Sequence, residues 1–300
     1  MSLSITRRLA IAGAGTFAAA SLAARGRAAA APQCEDPKVL RFSLIPTQDS
    51  VRELGYYKPI LDLLSKNTGK KIEFYMPTSY ASVVEALLGK WVDIAVLGPE
   101  SYVIAHGKDP NIEVFATYSR KADGIQPAGP GYKSVLITRK GSAFATIESL
   151  KGSVLALVDP ASTSGSLIPK AVFPKDRKLP PLDQYFSRVI FSGGHDLSTL
   201  AVADGKVDAA FVATHRFMET VHAGRVKQDD FNVLWTSPLL PQDPFVYRAT
   251  LCDGLRKAIA DTFLSVDQTE DGRRYLDNVR SERMVRMTDA DYDIIRSVAH

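Results

Sequence analysis

Ser82–Gly98 reads SVVEALLGKWVDIAVLG, and Ser198–Thr214 reads STLAVADGKVDAAFVAT. Each stretch runs through a helical segment, a Gly-Lys stop (Gly89-Lys90, Gly205-Lys206), a Val-Asp step (Val92-Asp93, Val207-Asp208) and a strand of small and branched residues. One extra residue at Trp91 brings the two into register. Such agreement over a whole unit marks an internal duplication of a β-α-β element, because stray α/β phrases do not hold their order for that length.

Outward from these two stretches the alternation continues. Val39–Ile45 has strand character, and Gly55–Ser65 carries Tyr56, Ile60, Leu63 and Leu64 at helical spacing before the stop at Thr68-Gly69-Lys70. Lys71–Tyr75 is a second strand. Thr78-Ser79-Tyr80 sits where a helix cap belongs, ahead of a helix over Ala81–Leu88. Val92–Leu97 is a third strand, and Gly98-Pro99 opens a helix from Glu100 to Ala105. In the second half Ser153–Val158, Arg188–Phe191 and Val207–Val212 are strands that lead into Ala161–Gly165, Gly193-Gly194-His195 and Ala213-Thr214-His215. This order predicts the α/β class, with parallel sheets covered by helices on both faces. The expected architecture is two similar lobes around a hinged cleft. Lobe 1 takes 36–132 plus 245–300, and lobe 2 takes 133–244 with its body at about 140–236. The crossings fall near 134–138 and 245–250, on Ser134–Thr138 and Phe245–Thr250; two crossings make a hinge.

A chain that is 45% hydrophobic and 23% charged is neither disordered nor collagen-like. Its formal charge of +4 comes from Arg7, Arg8, Arg25 and Arg27; the remaining 33 basic and 33 acidic residues cancel, so no nucleic-acid partner is expected. Residues 1–31 read as a signal peptide of the twin-arginine type. Arg7-Arg8 precede a mildly apolar stretch, and Ala28–Ala31 offers small-residue cleavage, so the expected location is the periplasm. A lipid anchor on Cys34 is disfavoured, since Gln33 stands where a small residue belongs. No later stretch reaches the ~18 apolar residues of a membrane span. Cys34 and Cys252 both lie in the exported part and are expected to pair; two unrelated thiols, or one thiol that meets a soft ligand, are the alternatives.

Ligands of open α/β sheets lie beyond the carboxyl ends of the strands. Four such ends carry polar groups here: Thr78-Ser79-Tyr80, Gly98 to Tyr102 with Ser101, Ser162-Thr163-Ser164-Gly165, and Gly193 to Asp196. Each precedes a helix, whose unpaired N–H groups favour an anion. The Ser-Thr-Ser-Gly turn suits a tetrahedral oxyanion, with Gly165 allowing close backbone approach; plain capping by Ser162–Ser164 is the competing role. His195 can donate to such an anion, or serve only as a capping residue. Tyr80 and Tyr132 fit a rim or the core. Asp243, in the proline-rich run Ser237–Pro244, can accept from a protonated ligand oxygen and so reject fully ionised sulfate; an ordinary turn aspartate is the alternative. No metal site, cofactor or Walker lysine is apparent, and a Ser164–His195–Asp243 hydrolase is disfavoured because no Gly-x-Ser-x-Gly elbow exists.

The chain resembles the phosphate/phosphite/phosphonate-binding proteins of ABC importers. The resemblance rests on Tyr80–Glu85, Gly131–Ile137, the run Asp159-Pro160-Ala161-Ser162-Thr163-Ser164-Gly165, Gly194-His195-Asp196, Val207-Asp208 and Ser237–Pro244. It implies a type II periplasmic-binding fold, with Tyr80, Tyr132, Ser162, Thr163, Ser164, His195 and Asp243 on the phosphorus group. Ser101 and His215 are additional candidates. His215 stands where some members carry a glutamate for a ligand amine, which argues for phosphite, phosphate or a small alkylphosphonate over an aminoalkylphosphonate. The implied partners of a monomeric chain are a small oxyanion and an ABC permease. The alternative is a sensory protein that docks on a membrane histidine kinase.

Overall fold

The computed structural model describes residues 34–47 and 50–299; the export segment at 1–31 lies outside them. Strands β1 (Val39–Leu44), β2 (Lys71–Phe74), β3 (Ile94–Val96) and β4 (Ile112–Arg120) alternate with helices α1 (Ser50–Thr68), α2 (Tyr80–Leu88) and α3 (Pro99–Lys108). After β5 (Gly131–Tyr132) come β6 (Ser134–Arg139), β7 (Val154–Leu157), the short helices α4 (Ile168–Ala171), α5 (Phe173–Arg177) and α6 (Leu182–Tyr185), and β8 (Arg188–Phe191). Then follow α7 (His195–Ala203), β9 (Ala209–Ala213), α8 (Thr214–His222), β10 (Phe231–Thr236), β11 (Leu240–Pro241) and β12 (Pro244–Arg248). The chain closes with α9 (Asp253–Leu264), α10 (Glu270–Asn278), β13 (Ser281–Arg286) and α11 (Asp293–Ala299).

Two sheets result. One is ordered β13-β4-β12-β3-β1-β2, the other β10-β6-β9-β7-β8. Their centres correspond: β1 pairs parallel with β2 and β3, and β7 pairs parallel with β8 and β9. Each sheet then adds an antiparallel strand, β12 beside β3 and β6 beside β9. Both added strands are the first to follow a passage of the chain between the sheets. Neither strand itself crosses. The passages run through 121–133 and 237–243, where β5 pairs antiparallel with β11 and puts Tyr132 opposite Leu240.

The duplication extends to individual hydrogen bonds, but its register differs from the sequence alignment. Both α2 and α7 end on a residue that donates one turn back, Gly89 to Glu85 O and Asp204 to Leu200 O. Next stands a residue of left-handed backbone, Lys90 (φ 60) and Gly205 (φ 68), so Lys90 is the counterpart of Gly205 and Trp91 is no insertion. A left-handed residue after a helix is ordinarily glycine, and the Gly-Lys letters therefore misaligned the copies by one. The Val-Asp steps then coincide in role. Asp93 Oδ2 accepts from Arg41 N, and Asp208 Oδ2 accepts from Val154 N, both at 2.8 Å. Each carboxylate satisfies a backbone donor on the neighbouring parallel strand, β1 in one case and the start of β7 in the other.

Separate apolar cores lie under the two sheets. Phe42, Ile60, Phe115 and Phe263 belong to the first, and Leu155, Phe173, Phe211 and Trp235 to the second. The terminal segment 245–300 divides between them: β12 and β13 are strands of the first sheet and α9 and α10 add to its core, whereas Ile295 of α11 is buried in the second core. Cys34 and Cys252 are disulfide-bonded, which ties the chain ahead of β1 to the start of α9.

Candidate functional site

With the corrected register, Tyr80 and His195 are counterparts: each is the first residue of its helix, α2 behind the cap Ser79 and α7 behind the cap Gly194. Ser79 and Ser82 form a reciprocal capping box, Ser82 N to Ser79 Oγ at 3.1 Å and Ser79 N to Ser82 Oγ at 3.0 Å. This fixes the start of α2 and leaves Tyr80 turned inward, 2% exposed. By the same register Ser101 on α3 matches Arg216 on α8. The site is thus assembled from equivalent helix starts of two like units, facing each other.

Tyr80, Tyr132, Ser162, Thr163, Ser164, His195, His215, Arg216 and Asp243 wall one small cavity of about 10 Å³. That is about the room that one water molecule needs, so a larger guest requires the two units to part. Seven of these are the residues singled out in sequence, and His215 was an additional candidate. Ser101 does not line the cavity. Its hydroxyl donates to Ala161 O at 2.9 Å, a contact that joins the two units rather than serving a ligand. Nearby, Glu100 N donates to Thr163 Oγ1 at 2.7 Å, so the Thr163 hydroxyl accepts from one unit and keeps its own hydrogen for the cavity.

Ser162 does cap: its Oγ accepts from Gly165 N at 3.2 Å. The turn continues as a single π-helical loop, Thr163–Leu167, before α4. Gly165 is required for a different reason from the one its sequence suggests. A Cβ there would lie 2.3 Å from Val158 Cγ2, so the constraint is packing against the end of β7, and its N–H is already spent on Ser162. Tyr80 contacts the Ser162 hydroxyl, and Tyr132 contacts those of Ser164 and Thr163. The wall is therefore a ring of O–H groups.

The two histidines behave differently. His195 Nδ1 accepts from Ala213 N at 3.1 Å. The proton is thereby placed on Nε2. Burial, helped by His215 and Arg216, depresses its pKa to about 3, so His195 is a neutral donor of fixed tautomer. His215 is also buried and held neutral by burial, but neither ring nitrogen has a hydrogen-bond partner among the described residues. Its ring stands edge-on to Tyr132, centroids 4.9 Å apart, and Nε2 lies 3.5 Å from Asp243 Oδ2. An unpaired buried imidazole costs free energy that an occupant of the cavity can return. Burial raises the pKa of Asp243 against the opposing pull of Arg216, Arg120 and His195, which makes a protonated or proton-sharing carboxyl easier to reach.

Sequence reasoning passed over Arg216. It is the one full cation among the cavity's lining residues. Arg216 Nη1 bonds Glu53 and Glu219, each at 3.0 Å, and Nη2 is 3.7 Å from Asp243. Arg120 also reaches Glu219, at 3.2 Å. The only signal in sequence was its place directly after the candidate His215.

A pH dependence follows. The unfolded His195 takes up a proton near its ordinary 6.5, whereas the folded one resists until about 3. Stability is therefore lost as pH falls from about 6.5 toward 3, up to ~5 kcal/mol from this residue. Asp243 and Glu53, whose pKa values burial raises, act oppositely in the carboxylate range. The difference between the wild type and His195→Asn isolates the histidine: denaturant melts from pH 7 to 4 should lose stability less steeply in the variant.

Two like α/β units that meet around one small, donor-lined cavity define a solute-binding protein of the type II periplasmic build. The family model described as ABC transporter, phosphonate, periplasmic substrate-binding protein matches residues 42–292, and the chain belongs to that family. The phosphate-import protein PhnD of Mycolicibacterium smegmatis is 29% identical over 279 residues, 87% of this chain and 85% of the relative. The phosphonates-binding periplasmic protein of Escherichia coli is 30% identical over 249 residues, 82% of this chain and 71% of the relative. Among solved structures, a binding-protein component of an ABC phosphonate transporter from Pseudomonas aeruginosa superposes with a TM-score of 0.76 at 26% identity, covering 88% of this chain and 86% of its own. PhnD1 of Prochlorococcus marinus, solved with methylphosphonate, shares the fold with a TM-score of 0.74 at 22% identity, over 88% and 97% of the two chains. The chain is thus a periplasmic substrate-binding component, whose partners are a small ligand and a transporter permease. No helix among the described residues is long and apolar enough to cross a membrane.

Proposed function

We propose that the small cavity captures a phosphorus oxyanion (phosphite, phosphate or a small phosphonate) and that the closed, occupied protein delivers it to the permease. The observation that carries this reading is the convergence of neutral donors, namely the hydroxyls of Ser162–Ser164, the two tyrosines and His195 Nε2–H, on a cavity that holds Arg216 and Asp243 together. The named relatives support phosphorus ligands. Thr163, Ser164, Tyr80, Tyr132, Ser162 and His195 donate, while Asp243 accepts from a protonated ligand oxygen. The units at 36–132 plus 245–300 (α11 excepted, since its Ile295 is buried in the second core) and at 133–244 then move as lobes about the 121–133 and 237–243 passages. Only the closed form joins both lobes through one anion, which is what a permease can recognise.

A melting-temperature screen against phosphate, phosphite, methylphosphonate, sulfate, arsenite and arsenate tests the ligand class, since a ligand of the folded state raises the melting point. Phosphorus ligands should raise it and sulfate should not; a rise with sulfate alone, or with none of them, contradicts the reading. Asp243→Asn keeps an acceptor oxygen and removes the charge, so calorimetry should find discrimination against sulfate reduced by roughly tenfold or more. Export of a monomeric chain by the twin-arginine route completes the proposal. Lysines in place of Arg7 and Arg8 should abolish periplasmic accumulation of a tagged protein, and normal accumulation would refute that route.

A further inference from the structure

One wall of the small cavity carries hydrogen-bonding capacity that the protein itself does not use. Both ring nitrogens of His215 are buried and lack a hydrogen-bond partner among the described residues. Nε2 stands 3.5 Å from Asp243 Oδ2, and the ring leans edge-on against Tyr132. The other histidine of the cavity has no such freedom. His195 Nδ1 accepts from Ala213 N at 3.1 Å, so a second proton on that ring would break a backbone bond. The charges about the cavity point the same way. Among the described residues Glu53, Glu219 and Asp243 stand against Arg120 and Arg216, which leaves a negative excess when all are ionised. An anion that enters deepens this excess in buried surroundings, where uncompensated charge is costly.

We infer that His215 is a ligand-binding residue that takes up a proton from solvent as the anion enters. This rests on the phosphorus group occupying the small cavity. An imidazole set between two acceptors, the Asp243 carboxylate and a ligand oxygen, satisfies both only when each nitrogen carries hydrogen. The carboxylate has acceptor room for both His215 and a protonated ligand oxygen. In the empty site burial keeps the ring neutral, well below its ordinary 6.5, and Arg120 and Arg216 act in the same direction against Glu219. The start of α8 adds its partial positive charge. An anion beside the ring cancels these influences, and Asp243 then holds the imidazolium by a charge-assisted hydrogen bond. His195 stays neutral, because a charged His215 further opposes a cation there. Tyr80 and Tyr132, whose hydroxyls burial keeps protonated, donate without supplying charge. The occupied site thus sets Arg216 and His215 against the anion and Asp243.

Calorimetry of phosphite binding at about pH 8, in HEPES and in Tris, counts the protons taken up, because the two buffers give different heats on releasing a proton. Free phosphite is doubly charged there, so a proton gained by the ligand is counted too; comparison with His215→Asn isolates the imidazole. The wild type should take up about one proton more than the variant, and its affinity should fall by a further factor of about ten per unit between about pH 6.5 and 8. Methylphosphonate replaces phosphite should phosphite alone not bind. If the variant does not fold, nitrogen NMR of histidine-labelled wild type decides: the anion should convert one imidazole that is neutral in the free protein to imidazolium. Equal proton numbers in wild type and variant put the proton on the ligand or on Asp243 and overturn the inference, as does a ring that stays neutral in the occupied protein. Failure of phosphite, phosphate and methylphosphonate all to bind overturns the head-group reading, and the inference with it.

Discussion

Replacing Arg216 with alanine is expected to cost about 3–5 kcal/mol of stability and to weaken anion binding roughly 30-fold or more. The guanidinium is buried, and it is the shared partner of Glu53 from α1, Glu219 one turn along α8, and Asp243 from the passage between the sheets. Burial already pushes the Glu53 and Asp243 carboxyls up, with Arg216 the largest opposing influence on each. Without Arg216 they must either take up protons or remain charged without compensation. The structural and binding effects separate in a triple variant, Arg216→Met with Glu53→Gln and Glu219→Gln. Neutralising the group together should recover much of the stability, because a buried ion network is replaceable by neutral groups. Anion affinity should stay low, because the cavity still lacks its cation. Denaturant melts and calorimetry on the two variants check both halves.

Removing the disulfide, by Cys34→Ser with Cys252→Ser, should lower stability by about 2–5 kcal/mol. The bond spans a sequence separation of 218 residues, for which the chain-entropy model gives an upper figure of roughly 5 kcal/mol, and measured values commonly fall below the model. For a domain of this size that corresponds to a fall in melting temperature of about 4–9 °C. The bond does not act alone. Glu35 N donates to Thr250 O, Cys252 N donates to Glu35 O, and Arg248 spans Glu35 at 2.5 Å and buried Asp93 at 2.6 Å. These contacts hold the segment in place without the covalent link, so ligand affinity should change by less than about threefold. A melt with and without reductant, followed by calorimetry on the reduced protein, separates the two quantities.

The parts of the fold that the sequence made legible are those in which period and punctuation coincide. Strands such as Arg188–Phe191, and the starts of α2 and α7, are marked by apolar runs followed by cap residues. The C-terminal elements α9, α10, β13 and α11 carry less punctuation, and α11 divides its contacts between two cores, which only tertiary packing decides. The duplication was visible in letters but off by one residue at Lys90, because a lysine holds a left-handed position that its copy fills with glycine. Among the site residues, Ser162, Thr163, Ser164, Tyr80 and His195 stand beyond strand ends where chemistry is expected, and Asp243 is marked by the proline-rich run that holds it. Arg216 was hidden because its meaning lies in three carboxylates from separate segments, and a lone arginine in a first helical turn reads as surface charge. Gly165 was misassigned for a related reason: the side chain that fills its space, Val158, is adjacent in structure and carries no sign of it in sequence.

The measurement that bears most directly on this account is a crystal structure of the protein grown with the phosphorus ligand that gives the largest melting-point rise. A tetrahedral anion is expected in the small cavity, within hydrogen-bond reach of the Thr163 and Ser164 hydroxyls and of His195 Nε2, with Asp243 on a protonated oxygen and Arg216 beside it. Density for the phosphorus group at any place that His195 and Ser164 do not touch would contradict the proposed function.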